Sequence, residues 1–150
     1  MEKNQEYMSL ALEQAQKALA AGEVPVGAVI VYKDKVIGKG YNKREEQQNA
    51  LCHAEIEAVN EACRALNSWR LEDCTMYVTL EPCSMCTGAI INSRIDTCIF
   101  GAYDEKAGCM GGLCNLTDLS LGHRPKIIGG YMESEAQQLL SDFFRKLRKK

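Results

Sequence analysis

The second half of this chain alternates short apolar runs with amphipathic stretches of helical period. That alternation restricts the fold more than any other feature. Residues 75–80 (TMYVTL) predict a strand, 83–92 a helix, Thr97–Ala102 (TCIFGA) a strand and 126–130 another. The pattern closes with a helix over Glu133–Arg148, where Leu139, Leu140, Phe143, Phe144 and Leu147 recur at helical spacing. Strands alternating with helices predict a largely parallel sheet covered on both faces. Upstream, residues 4–21 predict a helix stopped at Gly22. Gly27–Tyr32 (GAVIVY) and 36–40 predict a hairpin turned at Lys33-Asp34-Lys35, and 53–66 a helix.

No repeat, low-complexity tract or Pro/Gly/Ser-rich linker divides the 150 residues, so a single domain over 1–150 is expected. The eight cysteines then need a compartment. The first twenty residues show no basic stretch followed by an apolar core, and no run of about 18 apolar residues occurs, so neither a secretory leader nor a membrane span is expected. A cytoplasmic chain keeps its thiols reduced. Cys52, Cys63, Cys74, Cys98, Cys109 and Cys114 are accordingly expected to be buried, inert thiols. Charge is unevenly spread: residues 1–122 carry a net −6 and residues 123–150 a net +4. The overall −2 therefore says nothing against a local phosphate-binding edge. Five of the last six residues are basic: Arg145, Lys146, Arg148, Lys149 and Lys150.

Cys83 and Cys86 stand apart because they form Pro82-Cys83-Ser84-Met85-Cys86, thirty residues after His53-Ala54-Glu55. A closed structural zinc site takes four protein ligands, whereas a catalytic one takes three and leaves a position for water. His53, Cys83 and Cys86 supply three. Both motifs fall at predicted helix N-termini, where free N–H groups favour thiolates. Glu55 lies two residues from the histidine, placed for general acid–base work on zinc-activated water. Taken singly, His53 reads as an ordinary histidine, the cysteine pair as a redox couple or knuckle, and Glu55 as a solvated helix residue. Their joint order and spacing favour catalytic zinc.

These residues resemble the zinc-dependent cytidine deaminase superfamily. EVPVGAVIV (23–31), HAEI (53–56), SWRLEDCTMYVTLEPCSMC (68–86), FGAYDEKAG (100–108) and LLSDFFRKLR (139–148) narrow the likeness to the bacterial tRNA-specific adenosine deaminases. The resemblance implies a three-layer α/β/α fold with a mixed central sheet of about five strands. It implies one zinc ion per subunit on His53, Cys83 and Cys86, with Glu55 as proton shuttle. It also implies a hydrolase acting on the C–N bond of a cyclic amidine: water adds at C6 of adenine, N1 is protonated, and ammonia leaves to give inosine. The implied substrate is the wobble adenosine of a tRNA anticodon stem-loop, bound by a cytoplasmic homodimer. Asn42 matches a position contacting the flipped base and equally suits a turn closing a strand. Asp104 matches a loop position near RNA and equally suits a solvated acid. At least one of Phe143 and Phe144 is expected in the core; Phe144 with Arg145 is the candidate RNA contact.

Three other functions compete. A free guanine, cytosine or cytidine deaminase would share the zinc motif but not need the basic tail. A zinc-stabilised binding module would not need Glu55. A thiol oxidoreductase would need neither Glu55 nor His53.

Overall fold

The computed structural model describes residues 2–148. Lys149 and Lys150 of the predicted basic edge lie outside them. α1 (Lys3–Ala20) buries Met8, Ala11, Ala15 and Ala18 along one face. It stops where Gly22 takes φ +81 and the Glu23 amide turns back to the Ala18 carbonyl at 2.9 Å. β1 (Gly27–Tyr32) and β2 (Lys35–Tyr41) form the expected hairpin, with both turn residues, Lys33 and Asp34, at positive φ. α2 (Arg44–Gln47), α3 (Ala54–Leu66), β3 (Cys74–Leu80), α4 (Ser84–Asn92), β4 (Thr97–Ala102), β5 (Lys126–Ile128) and α5 (Glu133–Arg148) complete the order. A 3₁₀ turn (Leu116–Asp118) sits between β4 and β5.

Among the described residues, five strands form one sheet in the order β2-β1-β3-β4-β5. β3, β4 and β5 run parallel, but β1 is antiparallel to both β2 and β3. The sheet is mixed, not largely parallel. The hairpin is the reason: it reverses the chain, and the α3 crossover then carries β3 past β2 to the far side of β1. β5 ends two residues earlier than the periodicity predicts.

Alternation along the strands divides the apolar residues between two faces. Ile30, Met76, Val78, Cys98 and Phe100 pack with Ala54, Ala58 and Ala62 of α3 and Ile90 of α4. Val29, Val31, Tyr77 and Ile99 pack with Met8 and Ala11 of α1 on the other face. α5 lies on that second face, its Ala136 against Gly101. This is the three-layer arrangement expected.

Small residues let helix backbone approach the sheet. A Cβ at Gly40 would stand 2.2 Å from the Ala54 carbonyl oxygen, and one at Gly38 would stand 2.3 Å from that of Ala58. Helix backbone cannot yield as a flexible side chain does. Gly40→Ala is therefore expected to push the first turn of α3 off β2 and to destabilise the protein by about 1–3 kcal/mol. Chemical denaturation checks this, with Gly88→Ala, at a helical glycine with open space around it, as a comparison expected to gain up to about 1 kcal/mol.

Candidate active site

The chain places chemistry where the parallel strands end. Leu80, the last residue of β3, is followed by Glu81-Pro82-Cys83, and Asp104 follows β4. Such carboxyl ends are where open α/β sheets bind ligands. His53 and Cys83 are not the first helical residues but the N-caps of α3 and α4, both in extended conformation with no side-chain cap hydrogen bond. Their side chains are thereby free to meet each other. Pro82 precedes the cap, where its missing N–H costs no helical bond.

His53, Cys83 and Cys86 bring their ligand atoms within 4.8 Å of one another. His53 Nδ1 stands 3.7 Å from Cys83 Sγ and 3.5 Å from Cys86 Sγ. Tetrahedral zinc with Zn–S of about 2.3 Å and Zn–N of about 2.0–2.1 Å separates neighbouring ligand atoms by about 3.5–3.8 Å. The arrangement fits that ion with little adjustment. The two sulfurs are close enough for a Cys86 thiol to hydrogen-bond to a Cys83 thiolate. That hydrogen bond, with help from His53, holds Cys83 down to about 3, and together with burial it pushes Cys86 up. The Cys83 thiolate in turn raises the imidazole of His53. One imidazole nitrogen and two sulfurs converging in this way could hold a metal ion.

Glu55, on the first turn of α3, is 4% exposed. Burial is the main reason its carboxyl rises to about 7. Both it and His53 line one cavity of about 170 Å³ together with Val24, Val26, Asn42, Arg44, Leu80, Glu81 and Asp104. Pockets for drug-sized ligands run to about 300–1,000 Å³. This one is sized for a single heterocycle.

Asn42 does line the cavity, and it also closes the strand: its Oδ1 accepts the Arg44 amide at 3.1 Å and its Nδ2 donates to the Val24 carbonyl. Asp104 lines the cavity while its Oδ1 accepts the amides of Lys106 and Ala107. Neither phenylalanine is in the core, contrary to expectation: Phe144 is 44% exposed and Phe143 is half-buried, edge-on to it, because α5 buries only Ala136 among its described residues. Phe144 lines a groove with Tyr103, Lys106, Gln137 and Leu140, and Val24, Leu80 and Asp104 belong to groove and cavity alike. Arg145 is exposed and pairs with Asp142 at 2.6 Å, and it does not line the groove. Lys106 lines this groove, and Arg148 lines an adjoining one that shares Lys106 and Phe144 with it.

Sequence reasoning missed three contributors. Arg44 reaches the cavity from α2, a four-residue helix with no apolar period. Glu23 holds α2 in place, its carboxylate accepting the Glu45 and Glu46 amides at 3.1 and 2.6 Å. Glu81 does the same for the loop opposite. The signal available was an acidic residue in each of two otherwise apolar runs, EVPVGAVIV and TLEPC. One expectation is corrected: not all six remaining cysteines are buried. Cys74, Cys98 and Cys109 are, Cys52 and Cys63 are partly so, and Cys114 is exposed, because it sits on the turn between the bridged residues Met110 and Asn115.

The three-layer fold, with a His-Cys-Cys cluster and a buried carboxylate at one cavity, defines a deaminase of the cytidine deaminase-like class. The MafB19-like deaminase family model matches residues 2–148. A tRNA-specific adenosine deaminase of Bacillus subtilis (strain 168) is 46% identical over 100% of this chain and 94% of its own length. One of Aquifex aeolicus (strain VF5) is 47% identical over 95% and 94%. A solved structure from work on A-to-I editing by tRNA:A34 deaminases superposes with a TM-score of 0.86 at 39% identity, covering 91% of this chain and 99% of that one. A guanine deaminase from Bacillus subtilis gives 0.63 at 34% identity over 66% and 64%. The chain belongs to the MafB19-like deaminases and, within them, to the tRNA-specific adenosine deaminases.

Proposed function

We propose that this protein hydrolyses the wobble adenosine of a tRNA anticodon loop to inosine and ammonia. The observation that carries this reading is Glu55, buried at the wall of a base-sized cavity beside His53, Cys83 and Cys86. In this reading His53 Nδ1 and the two sulfurs hold one zinc ion, and Glu55 is the catalytic residue. When bound, zinc supplies a nucleophile at neutral pH by lowering the pKa of water.

The chain's own residues do the rest. Glu55 takes a proton from the attacking water and delivers it to N1 of the adenine, where it stays; it then takes the remaining proton of the oxygen added at C6 and passes it to the departing amino group, leaving a C6 carbonyl and ammonia. A carboxyl lifted to about 7 exchanges protons readily at neutral pH. The apolar side chains of Val24, Val26 and Leu80 enclose the base and exclude bulk water. Asn42 and Asp104 border it. A loop base suits such a cavity because unstacking it costs less than extracting one from a duplex. Phe144 offers a stacking face for a neighbouring nucleotide, while Lys106 and Arg148 meet phosphate. Arg145 acts more weakly, being paired with Asp142.

The reading includes a single domain, a cytoplasmic setting and a homodimer. Among the described residues no helix is long and apolar enough to cross a membrane. Leu51, Trp69 and Leu113 are exposed apolar side chains available to a second copy, which sedimentation of the purified chain would test. Incubating zinc-loaded protein with adenosine-34 anticodon stem-loops is expected to yield inosine, with little turnover of free adenosine, guanine or cytidine. Conversion of free guanine but of no RNA would favour the free-base reading that the guanine deaminase likeness keeps open.

A further inference from the structure

We propose that Glu81 is a positioning residue: its buried carboxylate fixes residues 104–112 as one wall of the cavity and so sets substrate affinity. Glu81 is 2% exposed. Its Oε1 accepts the Asp104 amide at 2.9 Å, and its Oε2 accepts the amides of Met110 and Gly112, both at 2.8 Å. Among the described residues no lysine, arginine or histidine pairs with it; backbone N–H groups alone neutralise it. The donors are 23 to 31 residues away in sequence, so the carboxylate ties both ends of one loop to the end of β3.

The loop is shaped around this group. A Cβ at Gly108 would lie 2.3 Å from Glu81 Cδ, and one at Gly112 would lie 2.3 Å from Oε1. The loop's own bonds converge on the same point: the Gly108 amide donates to the Asp104 carbonyl, and the Cys109 amide donates to that of Pro82, each at 2.9 Å. Asp104 and Ala107, which line the cavity, have their places set by this anchorage. Glu81 itself borders the cavity, but with three N–H groups taking up its oxygens the carboxylate acts on substrate through the wall.

The substrate part of this inference rests on the proposed function, so the test carries a readout that does not. In Glu81→Gln, made in the zinc-loaded full chain, the side-chain oxygen can keep Met110 and Gly112 while the new NH₂ group faces the Asp104 N–H. The Asp104 amide should exchange with deuterium at least about tenfold faster, with Met110 and Gly112 still protected. KM for the stem-loop should rise about 10–100-fold, the fold-change of one charge-assisted hydrogen bond, with kcat and zinc stoichiometry close to wild type. Gly112→Ala, which displaces the same carboxylate from the loop side, should raise KM likewise. An unchanged KM in either folded variant, or a loss of activity that tracks a loss of zinc, would overturn the proposal. If wild-type protein converts no RNA adenosine, the substrate reading falls, and the exchange result alone decides whether Glu81 holds the wall.

Discussion

Glu55→Gln is expected to lower kcat on an anticodon stem-loop by about 10²–10⁴-fold, which adds about 2.7–5.4 kcal/mol to the barrier. Glutamine keeps the shape of the side chain but cannot carry the proton from water to N1 or to the leaving amine. Zinc stoichiometry should remain one per chain, because Glu55 lies beside the cluster and is not among its three ligand atoms. KM should change little, since the base is enclosed by Val24, Val26 and Leu80. Wild-type kcat in the variant would remove Glu55 from the mechanism.

The same substitution has a stability signature. Burial raises the Glu55 carboxyl to about 7 in the folded protein, against about 4.3 in an unfolded chain. A raised carboxyl favours folding below its unfolded pKa, and that contribution disappears as pH rises through the folded value. Chelator-treated wild type should therefore lose stability between about pH 4 and 7 relative to Glu55→Gln, which has no such proton to lose. Thermal melts at pH 5 and pH 8 should show the variant gaining on wild type at the higher pH. Equal melting differences at both would mean that the buried carboxylate carries no such strain.

The elements that were legible in the sequence are those whose reasons are local. Thr97–Ala102 and Glu133–Arg148 match their predicted bounds because apolar period, β-branching and flanking turn residues lie within each segment. The convergence of His53, Cys83 and Cys86 was legible because a group able to hold a metal demands fixed residue types at fixed spacing, here at two helix starts, and Glu55 follows His53 by two residues. α2 was not legible: REEQ has no apolar face, and Glu23, more than twenty residues upstream, holds its amides. The 3₁₀ turn at Leu116 did carry a local sign, since the Asn115 side chain accepts the Thr117 amide. The direction of β1 is a property of the whole sheet, because a hairpin and a crossover can be assembled in several orders. Glu81 and Glu23 show in the sequence only as acidic residues in apolar runs; what each holds is not legible, because their partners are backbone amides more than twenty residues along the chain.

Removing one sulfur should have the second large effect, on metal content and stability together. Cys86 is fully buried, and its Sγ lies 3.5 Å from His53 Nδ1. Serine there is nearly isosteric but offers a hard, protonated oxygen in place of a thiolate. Even the outer partners of metal ligands are worth about 10–100-fold in affinity or activity. Losing a ligand should exceed that, so Cys86→Ser is expected to purify without stoichiometric zinc and to lose at least about 100-fold in turnover. Binding to the folded state alone stabilises it by about 2.7 kcal/mol at a hundredfold excess over Kd. In a chain of this length, 1 kcal/mol moves Tm by about 2–4 °C. Adding zinc to chelator-treated wild type should thus raise Tm by about 5–11 °C and leave Cys86→Ser almost unmoved. Cys114→Ser, at an exposed thiol outside the cluster, should respond as wild type does. A Cys86→Ser protein that binds zinc stoichiometrically and gains the full shift would show that the ion is held elsewhere, and the role assigned to Glu55 would then lose its support.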